Sequence, residues 1–388
     1  MMDSPQHSAT QILLEEPFRV MFPVGVLATL LGVVPWLTFA LGWTQPPSSY
    51  SHGMLQIQCF EASFATGFLM TALPRFLETT PTRWWELLLG VCLALAMTLA
   101  LATQNLRLGQ WLFLALLVHM LMFGARRLRT RGDDPPPFFA FLPIGLTAGL
   151  VGSVAILRPI ESLPRLGENL IQQGILLCLV LAVGSHLGPR LLYGHRGFPE
   201  TTTPAAHRRA AGLFLLGLLL LVSFFIEAAG ARQAGLILRA TIVTGYLLTV
   251  LRIYRVPTTN LLHVHLLRLS FVMLLLGLWV AAIAPPPHQI ASLHLTFVGG
   301  LGLMTFVIAS RVVIGHTGFE DLWQSHRAAL VIPLSLIALA TPLRLAADAL
   351  PDHYTAWLGA SSAAWVGGVA LWGVIFVPKM SPRHVADD

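Results

Sequence analysis

The sequence is poor in charged residues and in cysteine. Only 11% of its 388 residues are charged, 55% are hydrophobic, and Lys379 is the single lysine. Soluble domains carry about 25% charged residues, so this composition excludes an ordinary soluble protein. The cysteines Cys59, Cys92 and Cys178 form no C-x-x-C pair. That absence excludes a disulfide framework and a c-type haem attachment site.

Long polar stretches are also missing. The longest polar connections, 125–137, 188–208 and 315–327, are too short to hold a soluble domain. The remainder consists of apolar runs of roughly 18–25 residues, the length that crosses about 30 Å of hydrocarbon. We therefore predict an all-α, polytopic membrane helix bundle of about twelve transmembrane helices. The predicted spans are 20–42, 52–74, 84–103, 108–124, 138–157, 167–187, 209–229, 233–253, 262–283, 289–314, 328–346 and 354–377.

One transmembrane domain is expected over residues 20–377, between a cytoplasmic N-terminal segment, 1–19, and a cytoplasmic tail, 378–388. The first segment lacks the features of a cleaved secretory signal, so the first helix should be retained. Basic residues of short loops collect on the cytoplasmic side. One set of alternating loops is rich in arginine and the opposite set is poor, having only Arg107, Arg158, Arg165, Arg232 and Arg344. Basic loops that face the headgroups of the lipid bilayer, the expected partner, explain the net charge of +6. No nucleic-acid partner is needed to explain it.

The predicted second helix carries an unusual number of polar side chains. His52 and Gln56 lie one turn apart on a stripe that continues through Cys59, Ser63 and Gly67. Such a stripe is typical of close helix packing, but an ionisable group at membrane depth also marks a functional site. We interpret His52 as a ligand, with Gln56 beside it. Glu61 lies on another face and needs a partner or a proton.

The predicted tenth helix enters from the same side and places His294 at the depth of His52. Two histidines at one level are typical of a bis-imidazole haem site. Three glycines, Gly299, Gly300 and Gly302, follow His294. They leave room for a flat macrocycle or for a neighbouring helix, and helix packing is the commoner cause.

A second histidine group is expected toward the cytoplasm. It comprises His186, His263, His265 and His316, with His119 in the inner half of the fourth helix. Imidazole is a common ligand of copper and haem iron. The rings of His263 and His265 point to different sides of a regular helix, so they share a copper ion only if that end is unwound. Histidines at such helix ends also commonly meet lipid phosphate and water.

Charged residues and short repeats suggest further organisation. Glu227 ends the seventh helix and Arg239 lies early on the eighth, so the hairpin predicts a buried ion pair. The sequence "RLLYGHRGFPE" after the sixth helix resembles "RVVIGHTGFED" after the tenth, and "PRFLETT" ends the second. This echo suggests three parallel units of four helices. Positive-inside bias and helix-ending glycines are the alternative explanation.

Two stretches resemble the NnrS family of bacterial membrane proteins. "HGMLQIQCFEASFATGFLMTALP", from His52, is similar to the family's H-E-M-L and G-F-L-L-T-A-V-P. "HLTFVGGLGLMTFVIASRVVIGHTG", from His294, is similar to its H-x-x-x-x-G and R-x-x-x-G-H-T-G. The resemblance implies an inner-membrane protein that contains haem, expected to be of b type, and copper, and that acts in nitric oxide metabolism, sensing or protection from nitrosative stress.

The chain departs from the family's motifs at several positions. Tyr50 stands where the family usually has another histidine, Gly53 where it has an acidic residue, and "GSHLGPR" where a G-G-R-x-I-P-like segment is expected. His52, His294, Arg311 and His316 carry over. His52 and His294 are the axial candidates, with Gln56 and Arg311 as supporting or anchoring groups; His186, His263 and His265 are the other candidate metal ligands.

Three functions remain open on this sequence. The first is a haem protein that acts on or senses nitric oxide or a related small molecule; as an enzyme, it would be a haem-dependent oxidoreductase. The second is a transporter or permease for a small solute or metal ion that uses the intramembrane histidines and Glu61. The third is an anchor for a membrane redox or regulatory partner. GxxxG pairs, such as Gly145 with Gly149 and Gly184 with Gly188, favour helix packing within one chain or in a homo-oligomer.

Overall fold

The computed structural model describes residues 8–158, 161, 163, 165–194, 201–285, 289–325 and 327–382. Within these ranges the regular structure is helical and no strand occurs. The helices are α1 (Ala9–Glu15), α2 (Phe18–Ala40), α3 (49–76), α4 (Trp84–Ala102), α5 (Leu106–Arg129), α6 (Phe141–Leu157), α7 (Leu166–Tyr193), α8 (Pro204–Ala228), α9 (Arg232–Leu251), α10 (Leu262–Ile283), α11 (Gln289–Thr317), α12 (Glu320–Trp323), α13 (Ala328–Ala349) and α14 (Tyr354–Phe376).

Eleven helices of the described part are long and apolar enough to cross a membrane. The stretch 49–76 is not among them, because Gln56, Gln58 and Glu61 make it more polar, yet it is helical throughout. At 1.5 Å per residue it is about 40 Å long, enough to cross the bilayer. With α3 the count becomes twelve, which confirms the predicted helix bundle. The predicted helix ends shift by a few residues: α7 continues to Tyr193 and α8 begins at Pro204.

The second helix of each predicted four-helix unit contains a π-helical segment. These segments are Leu55–Glu61 in α3, Leu170–Ile175 in α7 and Leu295–Gly302 in α11. A further one, Leu247–Leu251, ends α9. Because π-helical turns are rare and are frequent at functional sites, their recurrence in α3, α7 and α11 supports the three-unit hypothesis.

The structure gives weaker support to the repeated sequence motif than to the repeated π-helical segments. In its first copy the residues after Gly194 lie outside the described part of the chain. Gly194 ends α7 in a left-handed conformation, with φ 64°, and Gly318 does the same for α11, with φ 75°. Glycine is favoured there because it carries no Cβ. The two helix-ending glycines occupy different positions of the motif. Glycines that end helices therefore account for part of the similarity between the two sequences.

Aromatic side chains join α2, α3, α11 and α14 in the core. The rings of Phe60 and Phe306 stack at 5.4 Å, Phe64 stacks on Phe22 at 4.5 Å, and Trp372 is fully buried beside Phe306. Such pairs add about 0.5–1.5 kcal/mol each beyond the area that they bury. The core therefore fixes α3 against α11, the two helices that carry His52 and His294.

The start of α2 and the stretch after α14 meet at one end of the bundle. The Arg19 guanidinium donates to the backbone oxygens of Met380 at 3.4 Å, Ser381 at 3.2 Å and His316 at 3.0 Å. An even number of helices that cross the bilayer gives this arrangement. Arg19 and Ser381 therefore lie on one side of the bundle, and that this side is cytoplasmic stays a prediction.

Small residues let neighbouring helices of one chain approach closely. A Cβ added to Gly145 would lie 2.8 Å from the Cβ of Cys178, and one added to Gly188 would lie 3.1 Å from Leu251. Both GxxxG pairs thus pack helices inside the chain. The predicted Glu227–Arg239 pair is confirmed: the two side chains meet at 2.5 Å, Arg239 is fully buried, and its guanidinium lies 3.6 Å from the centre of the Phe224 ring.

Candidate functional site

A cavity of about 310 Å³ lies at the end of the bundle opposite Arg19 and Ser381. His52 and His294 both line it, and we call it the histidine cavity. Its volume lies within the range of ligand pockets, about 300–1,000 Å³. Helices α2, α3, α11, α13 and α14 supply most of the wall, which includes Trp36, Gln56, Phe60, Glu61, Phe297, Arg344, Tyr354 and Trp365.

His52 is held in one orientation by the backbone of α2. Its Nδ1 lies 2.8 Å from the carbonyl oxygen of Gly32, and its ring meets Trp36 edge to face at 5.7 Å. Because a carbonyl oxygen only accepts, Nδ1 carries the proton and donates. Nε2 of the neutral ring then keeps its lone pair for a ligand.

His294 repeats this arrangement on α11. Its Nδ1 lies 2.7 Å from the carbonyl oxygen of Ile290, one turn earlier in the same helix. Again Nδ1 donates and Nε2 is left with a lone pair. A backbone carbonyl on the second ring nitrogen is the usual support of a metal-bound imidazole. Both histidines also lie just before the π-helical segment of their helix, so the two sites are built alike.

Gln56 is fixed one turn below His52. Its Oε1 accepts from the Thr29 hydroxyl at 2.7 Å, and its Nε2 donates to the Thr29 carbonyl at 3.2 Å. The Trp365 indole donates to the same hydroxyl at 2.9 Å. This network joins α2, α3 and α14 and gives the cavity a rigid polar wall. Gln56 and His52 line the same cavity, and the supporting role of Gln56 stays a prediction.

Arg344 was not singled out as a site residue from the sequence. It lies near the end of α13, and its side chain is only 7% exposed. Its Nη1 donates to Asp348 at 2.8 Å, and the guanidinium lies 5.8 Å from the centre of the Tyr354 ring. Arginine binds carboxylates with two parallel hydrogen bonds. In the sequence, one feature marked Arg344: it is one of the few arginines in the set of loops that is poor in basic residues.

These residues fit a haem group. The cavity offers two imidazoles with an available Nε2, a guanidinium suited to a propionate, and aromatic walls. The glycines after His294 do not contribute a flat face. An added Cβ would lie 3.0 Å from Thr341 at Gly299, 3.0 Å from Leu274 at Gly300 and 2.5 Å from Trp365 at Gly302. Those glycines serve helix packing, the commoner of the two explanations.

The inner histidines contact different neighbours. The His186 ring meets Phe76 edge to face at 4.8 Å, and His263 lies 4.2 Å from the Trp323 ring. His265 bonds Asn260 at 3.0 Å. Helix α10 is regular from Leu262, so the unwinding needed for His263 and His265 to share one ion does not occur. In the described part of the chain, no three His, Cys, Asp or Glu side chains gather as a metal site. His186, His263 and His265 thus have different neighbours.

Arg311 and His316 lie at the other end of α11, away from the histidine cavity. Arg311 donates to both carboxylate oxygens of Glu320 at 2.8 Å. His316 lies 2.7 Å from Glu16, and Arg19 donates to Glu16 at 2.6 Å. Burial raises the pKa of Glu16, but the hydrogen bond and charge of His316, with Arg19, outweigh it and hold this pKa below its ordinary value. The group joins α1 to the bundle.

Comparison with known proteins gives one family. The model of the NnrS protein family matches residues 12–383, nearly the whole chain. Among curated proteins, the comparison finds no match to this sequence. The matched residues include both histidine-bearing helices, α3 and α11. The chain therefore belongs to the NnrS family, and membership supports a role in the nitric oxide response at the level of the family.

Proposed function

We propose that the histidine cavity binds haem b and that the protein acts through this haem in the nitric oxide response. One observation carries the proposal: His52 and His294, from different helices, line one cavity, and each donates Nδ1–H to a backbone carbonyl. A lone buried histidine is often structural. Two that share a cavity and the same support are typical of paired ligands.

The surrounding residues would bind and orient the group. His52 and His294 offer Nε2 as ligand atoms, and the Thr29 network keeps Gln56 from turning away from the cavity. Arg344 would pair with a propionate. The aromatic side chains Trp36, Phe60 and Phe297 exclude water from the wall. When bound, haem supplies an iron that binds nitric oxide and carries one electron.

We further propose that the protein lies in the bacterial inner membrane, with both termini in the cytoplasm. As an enzyme it would be an oxidoreductase that acts on nitric oxide, and a membrane redox partner would supply the electron. Nitric oxide is small and uncharged, so a site inside the bilayer is accessible to it without a polar channel.

An absorption spectrum tests the proposal. The protein is expressed with haem supplied, purified in detergent, and measured oxidised, dithionite-reduced and exposed to nitric oxide, with haem and copper analysis. We expect b-type haem and a Soret band that shifts with nitric oxide. A colourless protein free of haem would overturn the proposal, and solute uptake into proteoliposomes would then test the permease alternative.

A further inference from the structure

A second cavity, of about 100 Å³, lies among α3, α7 and α11. We call it the apolar cavity. Its wall is formed mainly by hydrophobic side chains, including Phe64, Phe68, Leu179, Val183, Met304 and Ile308. The three helices that surround it are the ones that contain the matching π-helical segments. The three units thus meet around this space.

The apolar cavity has little that could hold water. Among the described residues of its wall, Glu61 and Thr305 are the polar side chains, and they bond each other: the Thr305 hydroxyl donates to Glu61 Oε2 at 2.8 Å. Ordered water in a protein needs two to four polar partners. Cavities walled by Leu, Ile and Phe stay dry instead and take apolar guests.

The apolar cavity adjoins the histidine cavity. Glu61 lines both, so the Glu61–Thr305 pair forms the partition between them. A smaller cavity, of about 40 Å³, shares Leu69 and Leu179 with the apolar cavity and Ile57 with the histidine cavity. A series of adjoining cavities therefore extends through the bundle from the apolar cavity toward His52 and His294.

We propose that the apolar cavity binds a small, uncharged gas molecule and delivers it past Glu61 to the histidine cavity. The apolar cavity is smaller than the engineered cavity of roughly 150 Å³ that holds one benzene molecule or a xenon atom. Because Phe68, Val183 and Ile308 of its wall are only partly buried, it is open toward the outside of the bundle, and the 40 Å³ cavity that continues toward His52 and His294 leaves room for a small molecule. This inference rests on the proposed haem function, because delivery needs a reacting site beyond the partition.

Xenon locates the site directly. Crystals of the wild type and of Val183→Phe are pressurised with xenon, and anomalous scattering maps the bound atoms. The added ring fills the apolar cavity, so we expect a xenon peak between Phe64 and Ile308 in the wild type and its loss in the variant. Val374→Phe is the matched control, because Val374 is 73% exposed on the outside of the bundle; its xenon peak should remain.

Nitric oxide rebinding after flash photolysis then tests delivery. With an unchanged absorption spectrum, Val183→Phe should bind nitric oxide more slowly, whereas Val374→Phe should bind it at the wild-type rate. No xenon peak in the wild type, detergent or lipid density in the cavity, or an unchanged rate in Val183→Phe would overturn the inference. If Val183→Phe does not fold, the wild-type map alone decides. A haem-free protein that still binds xenon would instead refute the proposed function, so the two failures are distinguishable.

Discussion

Glu61 on α3 accepts a hydrogen bond of 2.8 Å from the Thr305 hydroxyl on α11. Beside this bond the rings of Phe60 and Phe306 stack at 5.4 Å. The two helices joined here are those that carry His52 and His294. The relative position of the two histidines therefore depends on the packing of α3 against α11.

Thr305→Val removes the donor to Glu61 and keeps the shape of the side chain. A buried acceptor left without its partner costs about 1–3 kcal/mol, so the free energy of unfolding should fall by that amount. Thr305→Ser keeps the hydroxyl and should stay closer to the wild type. Unfolding by SDS in mixed micelles measures both. An equal loss in the two variants would show that the methyl group, and not the hydrogen bond, matters.

The sequence predicted that Glu61 needs a partner but not which one. Helical periodicity places a residue on a face of its own helix, and it carries no information on which of eleven other helices packs there. Arg344 and Trp365 were missed at the histidine cavity for the same reason, since both come from the last two crossings. Composition and the length of the apolar runs were enough to predict the membrane-crossing helices. The Glu227–Arg239 pair was also predictable, because its two members lie in one hairpin.

Gly32→Ala tests the support of His52. A Cβ at Gly32 would collide with the Gln56 amide and lie 3.2 Å from the Cβ of Leu55. Overpacking of this kind costs about 1–3 kcal/mol, and it displaces the carbonyl that His52 bonds. Gly53→Ala is the control on the same cavity, because nothing lies within 4 Å of its added Cβ. Thermal unfolding in detergent should separate the two variants, and similar midpoints would contradict the packing described.

Arg239→Met tests the buried ion pair. The substitution leaves Glu227, which is 14% exposed, without its cation and also breaks the bond from Arg239 to Gln173 at 2.8 Å. Removing one partner of a buried pair costs about 3–5 kcal/mol. The control, Arg131→Met, breaks the half-exposed pair with Asp134 and should cost at most about 1 kcal/mol. SDS unfolding compares them, and equal losses would mean that Arg239 is solvated.

The docking of α1 should depend on pH through Glu16. A carboxyl whose pKa is lowered in the folded protein stabilises the fold above its unfolded pKa, and this contribution is lost as the pH falls through the lowered value. The hydrogen-exchange protection factors of residues 9–15, which correct for the intrinsic pH dependence of exchange, should therefore fall below about pH 4, the ordinary range of a Glu side chain. Glu16→Gln should show low protection factors at all pH values. High protection in this variant would show that the Glu16 contacts do not hold α1.

The π-helical segments have no sequence signal that we recognised. Their residues read as ordinary apolar helix, and the extra residue per turn is visible only in the backbone. Because a π-helical turn shifts the faces of the helix after it, the stripe drawn through His52 and Gln56 cannot be extended past Glu61 by α-helical spacing. His52 and His294 both lie before these segments, and both line one cavity.

The central claim, that His52 and His294 hold haem in one cavity, is tested most directly by haem content and spectrum of His52→Ala, His294→Ala and His207→Ala purified side by side. His207 is the control, because its side chain is 59% exposed near Asp134, outside the cavity. We predict that each cavity variant loses the Soret band or shows a changed ligand spectrum, while His207→Ala keeps the wild-type spectrum. Wild-type haem content and spectra in both cavity variants would contradict the account and place any haem elsewhere in the bundle.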